Sequence, residues 1–299
     1  MTKHQSIKGY LSSNPHIKFI APAMCIMTIL SVIPSLFLVI ISLSNYRLGW
    51  ELSRAEFVGF GNFIYLFTRD PDFWHALVIS LAFMILATGV EMVLGFGLAS
   101  LLNNTEFALK PLIIGILIIP LAMTPSIAAQ MWKLMLNAEY GILNYFLHSL
   151  FGFKITWLSK DMAFWSVLLV DIWQFTPFVT LISYAGLRSI PMEPYESAAI
   201  DGASRFQVLR FITLPMMRKL IYLALLLRSI DSLKLFDTAF VLTQGGPGNA
   251  TEFLSLHVYR KFNAQVGDIG VAAAIALILL LVVTVISRIL IAKQRKADD

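Results

Sequence analysis

IPMEPYESAAIDGASRFQVLRFITLP, residues 190–215, is a polar, proline-bounded stretch set between two long apolar ones. Pro191 and Pro194 stop a preceding helix, because proline lacks the amide donor and disfavours helical backbone at the residue before it. Glu196, Ser197, Ala198 and Ala199 then open a short helix whose small side chains permit close approach by a partner. Gly202 ends or bends that helix, and Ser204 caps a second helical turn. Leu214-Pro215 marks the entry to the next long helix, where proline suits the first turn.

Outward from this segment the chain is apolar. About 20 apolar residues in a helix cross the roughly 30 Å hydrocarbon core of a bilayer. Six stretches qualify, near 17–43, 74–102, 111–136, 163–187, 211–235 and 269–292. The fifth is the weakest, because it carries Arg228, Asp231 and Lys234. The whole chain of 299 residues is 58% hydrophobic and 14% charged, with a mean hydropathy of +0.75. That is more apolar surface than one soluble core hides. The expected fold class is therefore all-α, a polytopic membrane protein with six transmembrane helices. Residues 1–16 read as a cytoplasmic tail, 17–292 as the membrane domain with an inner loop at 189–214, and 293–299 as a second cytoplasmic tail. Lys3, Lys8 and Lys18, the loop residues Arg188, Arg205, Arg210, Arg218 and Lys219, and the terminal Arg288, Lys293, Arg295 and Lys296 place these segments inside by the positive-inside rule. The expected location is the inner (plasma) membrane of a bacterium. The first apolar stretch exceeds a signal-peptide core and lacks a small-x-small exit, so it reads as a retained span.

Pro34, Pro120, Pro125 and Pro177 fall within spans. Each favours a kink, which suits either a bundle around a pathway or simple packing. Gly95, Gly97 and Ala99 read as a close helix contact.

Several chemistries are excluded. Cys25 is the sole cysteine, so there is no intrachain disulfide or cysteine metal site. His4, His16, His75, His148 and His257 lack metal-ligand spacing and read as surface or interfacial residues. No phosphate-binding loop is present; Gly245-Gly246-Pro247-Gly248 lacks the following lysine and reads as a turn. No nucleophile elbow or zinc-protease helix occurs. The net charge of +5 is spread through loops, which argues against nucleic acid. The chain reads as a non-enzyme, and any uphill transport draws its energy from another polypeptide or from an ion gradient.

The 190–215 segment resembles the EAA loop of ABC importer permeases. Glu196, Ala198, Asp201, Gly202, Ala203, Leu214 and Pro215 occupy the expected places, and Ser197 replaces one alanine by another small residue. Two further blocks, 228–251 (with RSIDSLKLFD and LTQGGPG) and Val58-Gly59-Phe60-Gly61-Asn62-Phe63, resemble the carbohydrate branch, close to the maltose-type and glycerol-phosphate-type first permeases. The resemblance implies the type I importer permease fold. It implies a second permease subunit forming a heterodimer, a dimer of ATPase subunits that use ATP and Mg, and an extracytoplasmic solute-binding protein. The remaining implied partners are membrane lipid and a sugar-like solute. No cofactor is implied on this chain. Glu196, Ser197, Ala198, Ala199, Asp201, Gly202 and Ala203 would then couple to the ATPase.

Charge inside a span costs about 2.5–3.5 kcal/mol on insertion scales, so such residues face a cavity or one another. Asp171 lies about 12 Å from the outer start of its span and Arg228 about 10 Å from the outer end of the next. Asp171, Gln174, Phe175 and Phe178 share one helical face, as do Arg228, Asp231, Ser232 and Leu235. These eight residues are the candidate solute site. The resemblance supports the place, since the matching stretches of maltose-type permeases line the sugar site. The alternative is a structural ion pair between Arg228 and Asp171 or Asp231. Glu91 reads as a polar contact between helices. Rival functions are import of a polyol or an anionic sugar with Arg228 as anion ligand, an ion-coupled secondary transporter, and a membrane-embedded enzyme.

Overall fold

A computed structural model of the protein describes residues 15–106, 108–264 and 267–296. The tail expected over 1–16, with Lys3, Lys8 and His4, lies almost wholly outside the described residues, as do the last three residues of the tail at 293–299. The described residues are almost entirely helical. In chain order the helices are α1 (Pro15–Ser42), α2 (Gly61–Arg69), α3 (Pro71–Asn104), α4 (Lys110–Ala122), α5 (Pro125–Met135), α6 (Ile142–Phe151) and α7 (Ala163–Ser189). They continue with α8 (Glu193–Ile200), α9 (Arg205–Val208), α10 (Leu214–Leu233), α11 (Asp237–Thr243), α12 (Leu254–Asn263) and α13 (Ile269–Arg295).

Four of these, α1, α3, α7 and α13, are long and apolar enough to cross a membrane. The expected third span is not one continuous helix. It breaks between Ala122 and Pro125, and α5 leaves α4 at 98°. The cause is local. Pro125 opens α5 and holds Thr124 extended at φ −67°, ψ 146°, which ends helical backbone there. If the bent pair counts as one crossing, the apolar crossings number five. The expected fifth span is also resolved into parts: a π-helical turn, Leu209–Thr213, leads into α10, whose 20 residues reach about 30 Å but are too charged to qualify on composition. Pro177, in contrast, leaves α7 continuous.

Helices α3, α7 and α10 form the centre, each packing against the other two. Helices α4, α5 and α11 flank α7, while α13 joins α10 to α1. Two glycines set the central spacing. A Cβ at Gly95 would lie 2.7 Å from Val179 Cβ, and one at Gly186 would lie 2.7 Å from Leu220 Cδ1. Both therefore let backbones approach where a methyl group would hold them apart. The expected contact at 95–99 holds for Gly95 and for fully buried Ala99, but Gly97 meets nothing within 4 Å. At one end of the bundle, Phe83, Phe164 and Phe253 interlock, with Phe83 and Phe253 centroids 5.0 Å apart. Helix α1 exposes nearly all its described surface, as a helix facing lipid or another subunit does.

Candidate functional site

Two features are built around α10. The first is the protruding segment between α7 and α10. Helix α8 closes in a Schellman motif: Ala203 N–H bonds Ala198 O at 2.9 Å and Gly202 N–H bonds Ala199 O at 3.2 Å. Gly202 sits at φ +71°, where glycine carries no steric penalty. Ser204 and Gln207 then form a reciprocal capping box over α9. The stop, the cap and the proline entry at α10 thus fall where the sequence places them. Ala198 is buried, whereas Glu196, Ser197, Ala199, Asp201 and Gly202 are exposed and Ala203 is half-buried. Sequence reasoning passed over Met192, Ile200 and Phe206, which flank these residues and are 65%, 87% and 66% exposed. Their signal was present: large apolar side chains in an otherwise polar loop.

The second feature lies in the centre of the bundle. Arg228 of α10 donates from Nε to Glu91 Oε2 (2.5 Å) and from Nη2 to Glu91 Oε1 (2.8 Å), Asp171 Oδ2 (2.8 Å) and Ser232 Oγ (3.2 Å). Its guanidinium carbon lies 4.0 Å from the Phe175 ring centroid. Glu91, Asp171 and Arg228 are 0%, 2% and 1% exposed. Arginine suits this place because its planar fork meets one carboxylate bidentately and still reaches another. One guanidinium thus ties α3, α7 and α10 together. Glu91 does make the polar interhelical contact expected of it, though as a full ion-pair partner.

Of the eight candidate solute residues, Asp171, Gln174, Arg228, Ser232 and Leu235 are buried, Phe175 and Phe178 are half-buried, and Asp231 is exposed. The structure brings Asp171, Phe175, Arg228 and Ser232 into one cluster. Gln174 turns elsewhere: its Nε2 donates to Met123 O at 3.0 Å, a carbonyl at the break after α4. Asp231 lies apart from the triad, 3.9 Å from Lys234.

Sequence reasoning missed a second buried ion cluster, where α12 and the turn before it meet the start of α3. His257, expected at a surface or an interface, is 1% exposed and lies between Glu252 Oε1 (2.6 Å) and Asp70 Oδ2 (3.3 Å). Lys261 Nζ reaches Asp70 at 2.5 Å, and Arg260 pairs with Glu252. Burial alone would raise the Asp70 carboxyl, but Lys261 and His257 outweigh it and hold Asp70 below the ordinary aspartate range. These partners come together only through folding, since Asp70 and His257 lie far apart in sequence. The turn expected over Gly245–Gly248 is present, with Thr251 N–H bonded to Gly245 O at 3.1 Å.

A multi-pass helical bundle with a polar, charge-bearing centre and a short capped helix thrown out at one end defines a membrane transport subunit. The family model "Binding-protein-dependent transport system inner membrane component" matches residues 9–296, and the chain belongs to that family. It is 35% identical to the trehalose/maltose transport system permease protein of Thermococcus litoralis, over 87% of this chain and 86% of that one. It is 34% identical to the sulfoquinovosyl glycerol transport system permease protein of Agrobacterium fabrum (87% and 83% covered). It is 29% identical to the lactose transport system permease protein of Rhizobium radiobacter, with 99% of both chains covered. In fold it matches a chain of a bacterial ABC transporter that imports alginate, with a TM-score of 0.79 at 20% identity over 96% of this chain and 97% of that one. The protein is a permease subunit of a binding-protein-dependent ABC transport system, a multi-pass membrane subunit without catalytic function of its own.

Proposed function

We propose that this chain forms, with a second permease subunit, the channel of an ATP-driven importer for a sugar or sugar-like solute. The solute arrives from an extracytoplasmic binding protein, and ATP with Mg is hydrolysed on a separate ATPase dimer. The protein lies in a bacterial inner membrane with both termini cytoplasmic. The observation that carries this reading is α8. A helix of two turns, stopped by a Schellman glycine and followed at once by a capped turn, is a rigid lever, and its exposed Met192, Ile200 and Phe206 suit a cleft in a motor subunit. Glu196, Ser197, Ala198, Ala199, Asp201, Gly202 and Ala203 couple nucleotide-driven closure of the ATPases to helices α7 and α10, which alternate the cavity between the two faces.

The solute meets α7 and α10. Asp231 is exposed and Phe175 and Phe178 are half-buried in the present conformation, and Asp171, Gln174, Arg228, Ser232 and Leu235 form the wall behind them. Phe rings stack on the apolar faces of a sugar while carboxylates take its hydroxyls. An anionic solute would call on Arg228, but that guanidinium is committed to two carboxylates, which favours a neutral one. Reconstituted proteoliposomes test the reading. Gly202→Asp should leave the complex assembled and its ATPase active but uncoupled from uptake. Asp231→Asn should lower uptake at least several-fold with coupling intact. Normal coupled uptake by both variants would remove the proposal.

A further inference from the structure

The end of the bundle opposite α8 carries a half-open concavity of about 320 Å³ between α11 and α12. This lies within the range of about 300–1,000 Å³ typical of small-molecule pockets. Phe240, Gln244, Tyr259, Arg260 and Asn263 line it. Tyr259 is held by two other rings, Phe240 and Phe236, at centroid distances of 5.2 Å and 5.4 Å, yet keeps 39% of its surface exposed. The Gln244 and Asn263 amides and the Tyr259 hydroxyl make no hydrogen bond to any group among the described residues. Gln244 is, among the described residues, the one non-glycine at positive φ (53°). Arg260 is fixed from beneath by fully buried Glu252. Gly245 makes that fit possible, because a Cβ there would stand 3.0 Å from Arg260 Nη2.

Charge decides what such a pocket takes. The permanent cations Arg260 and Lys261 are matched by Glu252 and Asp70, with His257 between the two carboxylates. Arg260 therefore offers hydrogen-bond donors with no unbalanced charge, which suits hydroxyl groups better than an anion. A fixed aromatic face, two open amides and a neutralised arginine form the recognition set for an uncharged sugar ring.

We propose that this pocket is an entry subsite for one neutral pyranose ring of the solute, separate from the α7–α10 site. The inference deepens the importer reading and names its substrate class as a neutral, ring-containing saccharide. The full-length chain in lipid nanodiscs tests it through the rate at which a thiol at the pocket rim is alkylated, using Ala264→Cys in a Cys25→Ser background. The probes, each at about 10 mM, are trehalose, maltose, lactose, glucuronate and sorbitol; that concentration saturates a site with a Kd near 1 mM. At least one disaccharide should slow alkylation, while glucuronate and sorbitol should not. Tyr259→Leu should raise the protecting sugar's Kd about 2–10-fold, the effect expected for one stacked aromatic ring. Asn263→Ala, an exposed change at a residue that makes none of the cluster's ion pairs, should weaken protection in the same direction. The proposal is overturned by alkylation indifferent to all three disaccharides, by equal protection from glucuronate or sorbitol, or by protection that survives both variants. Asp231→Asn uptake separates the two readings: its loss together with sugar-indifferent alkylation leaves the importer standing and removes only the subsite.

Discussion

Replacing Arg228 by methionine keeps a long flexible side chain but removes the cation that holds the centre of the bundle. Three contacts of 2.5–2.8 Å to Glu91 and Asp171 disappear, and two carboxylates remain at 0% and 2% exposure with no counter-charge. Breaking a buried pair by removing one partner costs about 3–5 kcal/mol, most of it from the stranded charge. Glu91→Gln leaves Arg228 paired with Asp171, so its cost is only about 1–3 kcal/mol. Neutralising all three groups, as Arg228→Met, Glu91→Gln and Asp171→Asn together, should recover more than half of the single-variant loss, because no charge is then left unpaired. The assay is unfolding of the detergent-solubilised chain by SDS titration, followed by far-UV circular dichroism, with double-mutant cycles over the three positions. An Arg228→Met protein within about 1 kcal/mol of the parent, or a triple variant no more stable than the single one, would refute the reasoning.

The packing and the outer ion cluster give two further predictions. Gly95→Ala forces a methyl group onto Val179 and should cost about 1–3 kcal/mol in the same unfolding assay, whereas Gly97→Ala, which meets nothing, should stay within about 0.5 kcal/mol. Asp70 is held below its ordinary value, so its contribution to stability is present above the unfolded-state value near 3.8 and is lost as the pH falls through the lower folded-state value. Asp70→Asn should therefore weaken the protein at neutral pH and flatten its loss of stability below about pH 4, as pH-dependent unfolding midpoints would show.

Local backbone chemistry was largely legible in residues 190–215, although α8 opens at Glu193 rather than at Glu196, with Pro194 in its first turn. Proline, glycine and serine act on neighbouring backbone, so the stop before Pro191, the left-handed Gly202 and the Ser204 cap could be placed without any tertiary information. The break at 123–125 was only half legible. Pro125 signalled a kink, but the 98° turn depends on what α5 packs against, and that is α7 and α11. The charges of Asp171 and Arg228 within long apolar stretches could be read from the sequence. The Arg228–Asp171 pair was one of the two readings the sequence offered, and it forms at 2.8 Å; the pairing with Glu91 could not be read, because Glu91 lies on α3, 137 residues from Arg228, and nothing in periodicity tells which helices become neighbours.

The sequence by itself determined that this chain lives in a bilayer, that it crosses several times, and that it throws out one capped helix between two long ones. Those properties follow from hydropathy and from backbone rules acting over a few residues. Only the tertiary structure decided that Arg228 faces two carboxylates and that His257 is buried between two more. It also decided that Asp231 stays accessible and that Gly95 rather than Gly97 sets the helix spacing. The physical reason is that charge pairing and close contact depend on which faces of distant helices meet, and that choice is made by the packing of the whole bundle.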